Sequence, residues 1–194
     1  MKRVIIGYQG IENSNNHRAA KMIASELGFD SLELRPMVSS DNVVKALQCG
    51  EIEYGVMAFK TDVAGDVSET KIATEGLCYH VLHSVSFDIH HCLFKKNEHV
   101  EKADIKVIAS HPEALRECRN TVSQLFPDAK MMEVEDTAYA AKALKEGVLP
   151  ADTAVLCNMK AGLGNDLVLL KENLEDLEHN GTTFYLIQLR NHSA

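Results

Sequence analysis

Two rhythms of apolar residues alternate along the chain, one of short β-branched runs and one of helical spacing. RVIIGY, Arg3 to Tyr8, is a β-branched run. SNNHRAAKMIASELG then spaces its apolar residues for a helix, with Ser14 as cap and Gly28 as stop. SLELRPM predicts a second strand, SSDNVVKALQCG a second helix, and YGVMAF a third strand buried on both faces. VSFDIHHCLFKK reads as one long strand and the charged KKNEHVEKAD as a crossover. The alternation then restarts. IKVIAS, KMMEVE, TAVLCN and TTFYLIQL predict strands, while HPEALRECRNTVSQL, TAYAAKALKEG and the short MKAGLG predict helices.

An internal echo suggests two similar α/β lobes. VVKALQCGEIEYGVMAF and AAKALKEGVLPADTAVLCN both run Lys-Ala-Leu-x-x-Gly and then into a buried strand. Open parallel sheets bind ligands beyond the carboxyl ends of their strands, where helix N-termini offer unpaired N–H groups. Three corners of this kind occur: GYQGIENSNN, SHPE and CNMKAG. Ser110 to Glu113 has capping-box spacing, which makes Ser110 a helix cap, and Ser14 and Asn158 are cap candidates as well.

Composition narrows the partners. Lys+Arg 20 against Asp+Glu 28 leaves a net charge of −8, which argues against nucleic acid or an anionic membrane surface. An anionic ligand must therefore be held by local groups. Five scattered cysteines without a Cys-x-x-Cys pair fit a reducing cytoplasm, and no apolar run is long enough to span a bilayer. No Walker loop or Gly-x-Gly-x-x-Gly speaks for a nucleotide. HVLHSVSFDIHHC gathers His80, His83, His90, His91 and Cys92, but adjacent His90 and His91 point to opposite sheet faces. The reading is of ordinary strand histidines, with no metal and no cofactor.

Four segments together resemble the catalytic domain of prephenate dehydratase. SHPEALREC is similar to that family's Ser-His-Pro-Gln-Ala-Leu-x-Gln-Cys. YGVMAFKTDVAGDVSET resembles Tyr-Gly-Val-Val-Pro-Ile-Glu-Asn-Ser-x-x-Gly-x-Val, with Gly65 and Val67 in register. YQGIENSNNHRAA resembles the opening Gly-Pro-x-Gly-Thr-Phe-Ser-x-x-Ala-Ala loop, and NGTTF the closing Asn-x-Thr-Arg-Phe. The resemblance implies a two-lobed α/β fold of the type II periplasmic-binding-protein kind, each lobe a mixed sheet flanked by helices with a ligand cleft between. Lobe one is expected at about 1–95 plus 180–194 and lobe two at about 100–178, with crossovers at KKNEHVEKAD and EHNG. The chain ends a few residues past the last strand, so the regulatory ACT domain common in the family is expected to be absent.

By the same resemblance Thr182 falls on the catalytic threonine. Substrate contacts are implied at Asn13, Ser14, Lys60, Thr61, Asp62, Ser110, His111, Asn158 and Thr183. Three departures stand beside these matches. Thr183 replaces the closing arginine, Lys60-Thr61-Asp62 replaces Glu-Asn-Ser, and Ile11, Asn13 and Asn15 replace the proline, second glycine and aromatic of the opening loop. Glu12-Asn13-Ser14 spells the missing triplet in the wrong loop and does not inherit its role.

Threonine at 183 cannot clamp a carboxylate as arginine would, and Lys60 is a cation that compensates. Asp62 sits poorly with a dianion and points to a ligand carrying an amine. The implied activity is a carbon–oxygen lyase of phenylalanine biosynthesis, converting prephenate to phenylpyruvate. The altered motifs also fit a non-aromatising prephenate decarboxylase or a non-catalytic binder of small carboxylates. A homodimer is compatible with each of these.

Overall fold

Strand order explains the internal echo. The computed structural model describes residues 3–29, 31–63 and 65–190. The first sheet takes β1 (Val4–Tyr8), β2 (Leu32–Pro36), β3 (Tyr54–Thr61), the two-residue β4 (Gly65–Asp66), β5 (Tyr79–Asp88) and the final strand β11 (Gly181–Leu189), in the order β2-β1-β3-β11-β5 with β4 beside β3. β1 pairs in parallel with β2 and β3, and β11 runs antiparallel to both β3 and β5. The second sheet takes β6 (Cys92–Lys95), β7 (Val107–Ser110), β8 (Lys130–Glu133), β9 (Thr153–Cys157) and β10 (Val168–Lys171), in the order β10-β6-β9-β7-β8. Read from β8, it too is three parallel strands followed by two antiparallel ones.

The helices follow the same repeat. α1 (Asn15–Leu27), α2 (Ser40–Gln48) and α3 (Ser68–Ala73) belong to the first sheet. α4 (Pro112–Glu117), α5 (Arg119–Leu125), α6 (Thr137–Glu146) and α7 (Met159–Gly164) belong to the second. The two Lys-Ala-Leu-x-x-Gly stretches are α2 leading to β3 and α6 leading to β9, the same step in each unit. Gly50 and Gly147 end them at φ 71° and 78°, a left-handed conformation that glycine adopts without a Cβ penalty. Ala46, Leu47, Ala143 and Leu144 are the buried residues of the repeat. Val43, Leu47, Met57 and Ile187 share one core, and Leu93, Ile108, Leu115, Leu156 and Leu174 share the other.

The chain divides into one unit of residues up to Asp88 together with those from Gly181 onward, and a second unit, Ile89–Asn180. The first passage between units therefore falls at Asp88/Ile89, not in the charged stretch after Lys95. VSFDIHHCLFKK is two strands, β5 and β6, in different sheets. Buried Ile89 and His91 mark the change, and Glu175 holds it by accepting from the backbone N–H of His91 at 3.0 Å and bonding the His90 ring at 2.7 Å. The charged stretch is a surface connection inside the second unit, carrying a 3-10 turn at Lys102–Asp104. The second passage, Asn180/Gly181, lies within EHNG. Residues 191–194 of the expected first lobe lie outside the described residues.

Two further differences have local causes. HPEALRECRNTVSQL breaks at Cys118, because Asp176 accepts from the N–H groups of Asn120 and Thr121 at 2.9 and 2.8 Å and caps a second helix there. VLLK, between MKAGLG and the last strand, forms β10 by pairing antiparallel with β6. Among the described residues no helix is long and apolar enough to cross a membrane.

Candidate functional site

In the first unit the expected residues gather where β1 and β3 end and β11 begins. Ser14 caps α1 by accepting from the His17 N–H at 3.2 Å. Asn13 precedes it at φ 68°, a left-handed conformation asparagine tolerates, and donates its backbone N–H to His17 Nδ1 at 3.0 Å. The His17 ring in turn stacks on Tyr8, centroids 4.9 Å apart. The opening loop is thus locked without the proline, glycine and aromatic it lacks. At α2 a side chain already holds the helix N-terminus: Glu69 accepts from Ser40 N at 2.8 Å and from Gln9 Nε2 at 2.7 Å.

Thr182 pairs across the ladder with Thr61 on β3 and Phe87 on β5, so these three side chains share a sheet face. It is 6% exposed, and no described residue hydrogen-bonds its hydroxyl. Thr183 points to the other face, opposite Lys60 and hydrogen-bonded to Ser86 Oγ at 2.9 Å. Lys60 therefore neighbours the position of the missing arginine and not Thr182. Asp62 lies just past the end of β3 and is exposed. Its carboxylate accepts from Gly181 N at 3.1 Å, and its own N–H donates to Gly181 O at 2.9 Å. A carboxylate at this position thus pins the start of β11.

The second unit holds Ser110, His111 and Asn158. Ser110 is not the cap of α4: its fully buried hydroxyl donates to Leu156 O at 2.7 Å and ties β7 to β9. The cap is His111, whose Nδ1 accepts from Glu113 N at 3.2 Å, because Ser110 is still in the strand and β9 presents a nearer acceptor. Asn158 does cap α7, through Ala161 N at 2.8 Å.

Sequence reasoning missed a buried cluster around Glu117. Its Oε2 meets His91 Nε2 at 2.8 Å and accepts from Asn180 Nδ2 at 2.8 Å. Ile89 N also donates to Asn180 O at 2.9 Å, and Asn180 Nδ2 donates to Ile89 O at 3.3 Å. The cluster thus fixes the residue two places before Thr182. A signal was present, since SHPEALREC carries Glu117 where the similar family segment carries glutamine. Among the described residues the histidines His83, His90 and His91 each pair with a carboxylate (Glu26, Glu175 and Glu117), and no group of three or more His, Cys, Asp or Glu is arranged to hold a metal.

Burial alone would raise the Glu117 carboxyl, but the bonds from His91 and Asn180 outweigh it and hold the group below its ordinary 4.5. Such a carboxyl binds a proton less readily folded than unfolded. The stability it confers is complete above about 4.5 and is lost as pH falls through the folded value. Glu117→Gln should therefore flatten the fall of unfolding free energy with acid below about pH 4.5, measured by urea titration at stepped pH. An unchanged acid limb would refute the assignment.

Comparison with known proteins decides the family. The model of the family described as prephenate dehydratase matches residues 6–192. This chain belongs to the prephenate dehydratase family. The prephenate dehydratase of Methanocaldococcus jannaschii is 34% identical over 134 residues, covering 69% of this chain and 47% of that enzyme. Arogenate dehydratase/prephenate dehydratase 1 of Arabidopsis thaliana is 25% identical over 185 residues, covering 95% of this chain. This chain spans 45% of that plant enzyme's length. In fold it is similar to the prephenate dehydratase of Arthrobacter aurescens solved with L-Phe, at a TM-score of 0.78 and 21% identity, covering 97% of this chain and 60% of that one. Thr182 lies within the matched residues.

Proposed function

We propose that this chain is a prephenate dehydratase-type lyase of phenylalanine biosynthesis, converting prephenate to phenylpyruvate, carbon dioxide and water. The observation that carries the reading is Thr182: a residue in the segment that resembles the family's closing motif, itself 6% exposed, whose hydroxyl has no bonding partner among the described residues. That hydroxyl can donate to or accept from a ligand without first giving up a bond within the protein.

Prephenate carries a ring carboxylate, a pyruvyl carboxylate and a C4 hydroxyl. The bond from the ring to its carboxylate breaks, and the electron pair moves into the ring. The C4–O bond then breaks, and the oxygen leaves as water after taking a proton. Aromaticity makes the reaction downhill, so the protein need only hold a dianion and assist the departing oxygen. Thr182 hydrogen-bonds that oxygen as negative charge develops on it.

Asp62 supports a second reading. An exposed carboxylate beside Thr182 disfavours a pyruvyl carboxylate but suits the ammonium of arogenate, the substrate named for the Arabidopsis relative. Incubation with prephenate and with arogenate, each followed for substrate loss and aromatic product, tests both. Phenylpyruvate from prephenate supports the first reading, and faster formation of phenylalanine from arogenate supports the second. Prephenate loss without an aromatic product would replace both with a non-aromatising decarboxylase, and binding without turnover with a carboxylate-binding protein.

A further inference from the structure

The Thr182 face of the sheet has its own cation. Arg18, one turn into α1, places its guanidinium carbon 4.0 Å from the centroid of the Phe87 ring. Phe87 is the ladder partner of Thr182, and its ring stacks on Phe184, two residues along the same strand, at 4.9 Å with 17° between planes. Phe87, Phe184 and Thr182 therefore lie on one face of the sheet, and the Arg18 guanidinium rests on that face, on the ring of Thr182's ladder partner. Lys60 projects from the opposite face.

Arg18 is available for a ligand. Arg3, Arg35 and Arg116 each pair with a carboxylate, while no described carboxylate pairs with Arg18 and no described acceptor takes its N–H groups. Arg119 and Arg190 also have no carboxylate partner among the described residues, and Arg18 differs from them in resting on the ring of Thr182's ladder partner. A ring contact holds a guanidinium in place and consumes none of its five donors, so its N–H edge stays free for bidentate contact with a carboxylate.

We infer that Arg18 binds a carboxylate of the substrate whose departing hydroxyl Thr182 contacts, supplying on this face the clamp that Thr183 cannot. The inference rests on the proposed lyase reading for the identity of the substrate. It assigns the work of carboxylate recognition to a helix residue, where the sequence pointed to Lys60.

The test measures binding and turnover separately. Dissociation constants for prephenate, arogenate and phenylpyruvate are taken by calorimetry for the wild type, Arg18→Gln, Arg18→Lys and Lys60→Met, alongside phenylpyruvate formation and thermal melting. Arg18→Gln should weaken binding of at least one of the three acids about 10- to 100-fold, the scale of one charge-assisted bidentate contact. Melting should hardly change, because Arg18 is exposed. Arg18→Lys should recover only part of the loss, since an ammonium cannot bind bidentately. If the wild type makes no phenylpyruvate yet binds one of the acids in an Arg18-dependent way, the lyase reading falls and the Arg18 assignment stands. Binding unchanged within twofold in Arg18→Gln, loss confined to Lys60→Met, or no binding of any acid by the wild type overturns the assignment.

Discussion

Thr182→Val should lower kcat for prephenate by about 10²- to 10⁴-fold while binding of the substrate stays within a few-fold, the range a single positioned proton donor supplies. Valine keeps the shape and the β-branching, so the strand is not disturbed. Because no described residue bonds the Thr182 hydroxyl, the exchange breaks no bond of the resting protein. What disappears is a contact made as the C4–O bond lengthens, and such a contact lowers kcat when removed without raising KM. Steady-state kinetics paired with calorimetry on the variant separates the two effects. Retention of kcat within threefold would show the hydroxyl to be a strand-starting residue with no part in the chemistry.

Glu117→Ala should cost about 2–4 kcal/mol of unfolding free energy, the usual consequence of removing a buried carboxylate and leaving its two hydrogen-bond partners unsatisfied. The side chains of Glu117 and His91 are 6% and 4% exposed, so water cannot substitute for the lost carboxylate. Asn180 loses its acceptor in the same step, and it stands immediately before Gly181 and two places before Thr182. Glu117→Gln, which restores the residue of the similar family segment, should cost much less, because an amide still offers an oxygen to Asn180 and His91. Urea unfolding at pH 7 followed by circular dichroism measures both. A loss below 1 kcal/mol for the alanine variant would mean that the cluster relaxes and contributes little.

Features governed by short-range rules were legible in the sequence. The Lys-Ala-Leu-x-x-Gly repeats announce a helix with a buried Ala-Leu face and a left-handed glycine stop, and both Gly50 and Gly147 have that conformation. The caps at Ser14 and Asn158 are equally local, each needing an oxygen and an N–H three residues later. The family was legible for the same reason, because its motifs are contiguous. That Thr182 and Thr183 face opposite ways follows from the twofold strand period alone.

Features that depend on partners far along the chain were decided by the tertiary structure. Nothing within HPEALRECRNTVSQL marks a break at Cys118, because the cap that makes it is Asp176, more than fifty residues on. Nothing within VSFDIHHCLFKK says that β5 pairs with β11 while β6 pairs with β9 and β10. Ser110 reads as a cap until β9 places the Leu156 carbonyl beside it. Glu117 reads as a helix-surface carboxylate until His91 and Asn180 bury it, and Arg18 as a solvated cation until β5 lays Phe87 beneath it. Capping and periodicity act over a few residues, whereas burial and cross-sheet contact depend on which distant strand arrives alongside, and a linear pattern carries no record of that arrival.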